Sequence, residues 1–356
     1  MKRATIKDVA RLAGVSTATV SYVLNNSALI TPATRERVLQ AVHQLGYRPS
    51  TWARVLAGKA ARTMAVVASP GNELGQAAHL WSAILGGVGR AAWESSYALV
   101  LVPAQPRIPG RETLLALKDR GVEGAIFFPP AEPEDFLPAA WQEGLPVVSV
   151  GEPAGGVPWQ RSPETSPEPG AAGRGVVIRV DHRASGYQAA SHLLSLNRRR
   201  LVFLAGPGPG SEQRWEGVQE AVSRVPGAVV SRISGDGSEE SGFQVMDRLL
   251  HRRRSDRWSP DAVVAYNDAM ALGAMRALAV GGQRVPEAVA VVGFGDDPLG
   301  AYVPPALTTF RLPVFEIGQK AVQCLVRMLS GEPQPAEVLL PARLVIRESC
   351  GSALWI

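Results

Sequence analysis

From Ala61 onward the chain repeats one device. Short apolar runs rich in β-branched residues, TMAVVAS, ALVLVPA, GAIFFPP, LPVVSVG and then GVVIRV, RLVFLAG, AVVAYND and VAVVGFGDD, alternate with stretches of helical apolar periodicity. Continuous apolar runs of this length suit strands buried on both faces. Strands that alternate with helices form parallel sheets with helices on either side. There are too many runs for one mononucleotide-binding fold. The pattern predicts two similar α/β lobes with a ligand cleft between them, at the carboxyl ends of the strands. A chain of 356 residues, 46% of them apolar, has room for two or three such cores.

The first sixty residues are different. They carry nine basic residues against Asp8 and Glu36, a net of +7, whereas the other 296 carry 28 basic and 30 acidic residues. A basic head on a nearly neutral body points to a polyanionic partner for the head. Its opening, TIKDVARLAGVSTATVSYVLN, reads as two short helices around a glycine turn. Thr5 caps the first helix with Asp8 three residues on, and Ile6, Val9, Ala10 and Ala13 share a face. Gly14 permits the turn, Val15 plugs the core, and Ser16 caps a second helix with Val20, Val23 and Leu24 inward. Thr31-Pro32 starts a third helix, ended by Gly46. Two helices joined by a short turn and buttressed by a third make a helix-turn-helix. The second helix turns Thr17, Ala18, Ser21 and Tyr22 outward, where they can meet base edges in a major groove.

These residues, with TRERVLQAV, LGYRPS and ARVLAGK after them, resemble the DNA-binding head of the LacI/GalR family of bacterial transcriptional regulators. The resemblance implies that Thr17, Ala18 and Tyr22 read bases. Most members carry arginine at the place of Tyr22, and a phenol cannot pair bidentately with guanine, so the usual operator half-site does not carry over. Ala18 offers a methyl contact, as to thymine. Ser16, Thr19, Ser21, Asn25, Thr31 and Thr34 match phosphate-contacting positions, which hydroxyls, an amide and helix N-termini suit, and Thr5 is counted with them among the DNA-binding residues. Residues 48–60 match a hinge helix whose Leu56 wedges into the minor groove at the centre of the site. The body resembles the family's periplasmic-binding-protein-like domain over LVFLAGP, SEQRWEGVQEAV, VVAYNDAMALGAMRAL, VAVVGFGDDPLGAYVPPALTTFRLP and IGQKAVQCLVRML. The match is poor over residues 69–82 and 152–176.

The implied architecture is an all-α helix-turn-helix headpiece (1–47), a hinge (48–60) and a two-lobed α/β effector and dimerisation domain (61–356). The first lobe is expected to hold about 61–180 and 310–330, and the second about 181–309 and 331–350. The implied function is a sequence-specific repressor that binds a palindromic operator as a homodimer, under a small-molecule effector such as a sugar or related metabolite. The chain ends without leucine heptads, so a dimer and not a tetramer is expected.

Arg214 matches a position whose guanidinium grips effector oxygens. Asn267 is expected to hydrogen-bond the ligand while Asp268 caps the following helix. Many sugar-binding relatives have an acid directly after the aromatic residue of GFGDD, where this chain has Gly295, and Gly151 replaces another. Loss of both argues against a simple lactose-type sugar in the usual pose, with Asp296 or Glu152 left to compensate. Residues 153–176, with five prolines, read as a surface loop.

Other chemistries lose ground. Cys324 and Cys350 form no CxxC, no Cys/His group has zinc spacing, and GPGPG is not followed by Gly-Lys-Ser/Thr, so no metal, cofactor or P-loop is expected. His43, His79, His182, His192 and His251 are scattered, with no nucleophile motif beside them, so no enzyme is expected. NRRRL and HRRRSDR read as solvated basic loops. With no signal peptide or membrane span in view, a cytoplasmic protein is expected. Because SPGNELGQAAHLW lacks a polar-aromatic ligand wall, an effector-independent DNA-binding protein with a degenerate cleft is the alternative.

Overall fold

The computed structural model describes residues 4–24, 30–47, 62–68, 78–103, 110–129, 135–151, 175–252 and 259–352. The chain divides into two compact units, 1–61 and 62–356.

The head holds helices α1 (Ile6–Ala13), α2 (Thr17–Leu24) and α3 (Pro32–Gln44). Asp8 closes a capping box, its Oδ2 accepting from Thr5 N at 2.9 Å and Thr5 Oγ1 at 2.7 Å. Gly14 ends α1 at φ +62°, a left-handed geometry that costs glycine nothing. Thr19 N donates to Ser16 Oγ at 3.1 Å, and Thr34 N to Thr31 Oγ1 at 3.4 Å, so both predicted caps form. Val9, Ala10, Ala13, Val20, Val23, Val38, Ala41 and Tyr47 make the small core.

The second unit contains two six-stranded sheets. The first comprises β1 (Thr63–Ala68), β2 (Ala98–Pro103), β3 (Val122–Phe128), β4 (Val147–Val150), β5 (Gly175–Val180) and β11 (Glu337–Leu340). They lie in the order β11-β5-β4-β3-β1-β2, every pair parallel. The second comprises β6 (Arg200–Ala205), β7 (Val229–Ser234), β8 (Ala262–Ala265), β9 (Ala290–Phe294), β10 (Thr308–Arg311) and β12 (Arg343–Val345). Their order is β12-β10-β9-β8-β6-β7, with only β12 antiparallel. Both sheets therefore reverse direction beside their first strand, and an α/β crevice opens at such a switch point.

Among the described residues eight helices flank the sheets: α4 (Ala78–Glu94), α5 (Gly110–Asp119), α6 (Phe136–Gln142), α7 (His182–Ser195), α8 (Pro209–Ser223), α9 (Glu239–Arg252), α10 (Asp268–Val280) and α11 (Val314–Leu329). Three pairs pack backbone to backbone: α4 with α11, α7 with α8, and α9 with α10. Each contact is made by reciprocal glycines. A Cβ on Gly87 would strike the Phe315 carbonyl and one on Gly318 that of Ile84. Gly186 and Gly217 bear likewise on Arg214 and Arg183, and Gly242 and Gly273 on Met270 and Glu239.

The exchange of segments between lobes differs from expectation in one strand. The chain crosses at Asp181, again at 312–313 after β10, and a third time at 341–342. Strand β11 stays on the first sheet beside β5, with Val177 N bonded to Ala336 O at 2.9 Å, so the expected assignment of 331–350 to the second lobe is corrected. A four-residue run carries no mark of the edge it will pair with.

Candidate functional site: an interlobe cavity

A cavity of about 680 Å³ lies between the lobes, within the range of small-molecule sites. Its second-lobe wall is polar and includes His182, Gln213, Arg214, Ser238, Asn267 and Asp297. The described part of its first-lobe wall is mostly apolar, with Leu80, Pro129, Val150 and Ile178 beside His79 and Arg179.

Arg214 sits in the second turn of α8 and is 4% exposed. Its Nη1 donates to the Tyr266 carbonyl at 2.9 Å, and its Nη2 lies 3.0 Å from His182 Nδ1. The guanidinium also lies over the Phe294 ring, 4.7 Å from the centroid. The close approach of α7 and α8 at Gly186 and Gly217 sets this geometry, because it brings His182 at the start of α7 against Arg214. Arginine has donors only, so Nδ1 of His182 accepts and the imidazole proton resides on Nε2. Burial, with Arg214 and Arg179 nearby, holds the His182 pKa well below the usual histidine range. The ring is neutral at physiological pH, a fixed dipole at the cavity wall.

Asn267 takes the capping role expected of Asp268, and Asp268 does neither job. Asn267 is the cap of α10: its Oδ1 accepts from Met270 N at 2.8 Å, and its Nδ2 donates to Gly237 O at 2.8 Å. It lines the cavity but spends both ends on the protein. Asp268 is buried beneath, accepting from Thr309 Oγ1 at 2.5 Å and Asp297 N at 2.6 Å. Burial raises its carboxyl to about 6, against the lowering effect of those two bonds.

Asp296 is corrected as an effector ligand. Gly295 at φ +134° and Asp296 at φ +54° make a tight turn after β9. That turn carries the Asp296 carboxylate to Arg311 Nε at 2.5 Å and Arg347 Nη2 at 2.6 Å. Burial raises the Asp296 pKa, but these two guanidinium bonds outweigh it and the net shift is downward. Asp296 is not among the cavity-lining residues; Asp297, one residue on, is. At the φ of Gly295 a side chain would be strained. Gly151 borders the cavity, and Glu152 lies outside the described residues.

Asp297 also meets the opposite lobe: its Oδ2 is 3.4 Å from His79 Nδ1 at the start of α4. His79, Arg179, His182 and Asp297 were not proposed from sequence. The available signal for His182 and Asp297 was position, each just beyond the carboxyl end of a strand. The run at 198–200 is not a solvated loop. Arg198 donates to the carbonyls of Pro286 and Glu287, and Arg199 to those of Leu194 and Arg198.

In the head, Thr17, Ala18 and Tyr22 are exposed on α2, Tyr22 by 50%. Ser16 and Thr31 are exposed caps, whereas Thr19, Ser21 and Thr34 are half-buried. The Thr5 hydroxyl is committed to Asp8. Asn25, the hinge at 48–60 with Leu56, and the loop at 153–174 lie outside the described residues. Among the described residues no group of His, Cys, Asp or Glu is placed to hold a metal ion. No helix there is long and apolar enough to cross a membrane.

A helical DNA-binding head joined to a two-lobed body with a ligand-sized cleft defines the class of an effector-responsive DNA-binding regulator. Residues 5–50 match the bacterial regulatory proteins of the lacI family, and residues 190–350 match the periplasmic binding protein-like domain. The HTH-type transcriptional regulator CelR of Thermobifida fusca is 33% identical over 98% of each chain. DegA of Bacillus subtilis strain 168 is 29% identical, again over 98% of each. Among solved structures, a CelR–cellobiose complex shares 30% identity at a TM-score of 0.69, covering 98% of this chain and 100% of that one. The lac repressor dimer bound to operator and the anti-inducer ONPF shares 28% at 0.77, covering 98% and 99%. The chain belongs to the LacI family of transcriptional regulators.

Proposed function

We propose that the chain is a repressor that binds a palindromic operator as a homodimer and is controlled by a polyhydroxylated effector, of saccharide size, held between its lobes. The observation that carries this reading is Arg214. A buried guanidinium, fixed by His182, Tyr266 and Phe294 at the wall of a cavity, is a preorganised donor for ligand oxygens. A cavity of about 680 Å³ weighs against a degenerate cleft. The cellobiose of the CelR complex supports a saccharide-sized guest. Asp297, facing the cavity, supplies an acceptor for hydroxyls in place of the carboxylate missing at Gly295.

A dimer is supported by exposed apolar side chains on both lobes. Leu99 and Leu101 stand out on β2, the edge strand of the first sheet, and Trp93 on α4. Leu299 and Tyr302 are exposed on the second lobe. Two-fold symmetry would set two heads on one palindrome. An effector that binds the closed cleft better than the open one shifts the population of body states. A coupling of about 1–3 kcal/mol changes operator affinity about 5–150-fold.

The test is fluorescence anisotropy of full-length protein on an operator selected from random duplexes, with and without a panel of mono- and disaccharides and their phosphates. At least one saccharide should change affinity at least fivefold, and Arg214→Ala should abolish that change while sparing affinity for DNA. An operator affinity indifferent to the whole panel would refute the effector reading.

A further inference from the structure

Resting on the DNA-binding reading above, we infer that α2 reads its operator through thymine methyl groups rather than through guanine. The inference starts from the face the helix leaves free. At 3.6 residues per turn, positions 17, 21, 18 and 22 fill one arc of about 140°. The opposite side holds Thr19, Val20, Val23 and Leu24, with Val20 and Val23 buried. The exposed arc is Thr17, Ala18 and Tyr22, with Ser21 half-buried among them.

The chemistry of that arc is narrow. From Thr17 to Leu24 the helix has no arginine, lysine, asparagine, glutamine, aspartate or glutamate. Guanine is read by a bidentate cation, adenine by a bidentate amide, and cytosine by a carboxylate, all of which α2 lacks. Nor are the neighbouring hydroxyls idle. Ser16 Oγ and Thr19 Oγ1 lie 2.9 Å apart, and Ser16 Oγ also accepts from Thr19 N. Besides the hydroxyls of Thr17, Ser21 and Tyr22, none of which can make a bidentate pair, α2 offers the Cβ of Ala18, the Cγ2 of Thr17 and the ring of Tyr22. These are partners for the C5-methyl of thymine, the one apolar group on a base edge in the major groove. The basic head supplies affinity through phosphates without regard to sequence.

The experiment uses full-length protein and the duplex it selects from a pool of randomised palindromes. Each thymine of the half-site is replaced in turn by deoxyuridine, which deletes only the methyl. Each guanine is replaced by 7-deazaguanine, which deletes the N7 acceptor. At least two deoxyuridine positions should each weaken binding about fourfold, the value of one buried methyl. Thr17→Ser, which keeps the hydroxyl and loses a methyl, should erase the sensitivity at one of them. Ala18→Gly should erase it at another, with the variant's circular dichroism and thermal melting as the check on folding. If every deoxyuridine duplex binds like the parent, or if 7-deazaguanine costs more than methyl deletion, the inference is overturned while the head remains a DNA reader. If no duplex is selected at all, the DNA-binding reading falls with it.

Discussion

Asp268 shows how much can turn on one carboxyl. In AYND either Asn267 or Asp268 is a competent cap, since both side chains accept from the next turn. What decides between them is Thr309, 41 residues downstream, whose hydroxyl claims Asp268. No local pattern contains that information. The cost of burying Asp268 gives a pH signature. Its carboxyl titrates at about 6 in the fold against 3.8 in the open chain, so between those values the folded state holds more protons. Stability from this group therefore falls as pH rises through 3.8 to 6, by on the order of 3 kcal/mol. Asp268→Asn should remove that slope. Urea unfolding of both proteins from pH 4 to pH 7 reads it, and parallel curves would show the carboxyl does not titrate there. Arg214 was legible because its neighbourhood, SEQRWEGV, resembled a family motif. Its partner His182 was not, because a histidine becomes informative only once its neighbour in space is known.

Helices and strands were easier to read than their partners. The three head helices and most strands of the body follow from apolar period, caps and glycine stops. The lobe to which β11 belongs does not, nor do the reciprocal glycines, which look in sequence like scattered helix weaknesses. At Gly217 the absent side chain lets α8 lie against Arg183, and so holds Arg214 near His182. Gly217→Ala should cost about 1–3 kcal/mol through overpacking. It should also weaken effector binding by more than its effect on DNA affinity, as calorimetry and anisotropy on one preparation can compare. Equal losses in both would mean the helix pair does not position the site. The contact between α4 and the turn after β9 is subtler. His79 and Asp297 are each 29% exposed, so their attraction is screened by water. Asp297→Asn should nonetheless weaken effector binding severalfold, because it also removes a cavity carboxylate, whereas His79→Ala should cost only about two- to fivefold. Titrating one saccharide into both variants ranks them, and a larger loss for His79→Ala would reverse this account.

At the scale of the molecule, the alternation of strands and helices made two lobes and a cleft readable from sequence, and the charge imbalance marked the head. The cleft's exact lining was not readable, because it is assembled from loops that the chain visits far apart. The proposed dimer interface rests on exposed leucines that periodicity alone cannot tell from core. Leu101→Glu should give a monomer by light scattering at micromolar concentration and lower operator affinity at least tenfold; a dimer of unchanged strength would move the interface elsewhere. The three crossings between lobes have a last consequence. The first sheet is completed by β11, which follows all of β6 to β10 in the chain, and the second by β12. Neither lobe corresponds to a continuous stretch of gene. During synthesis the first sheet stays open until all of β6 to β10 has been made and β11 follows, and the second closes only with β12 just after it, so the two halves mature together, and a message cut before β11 would spoil both at once.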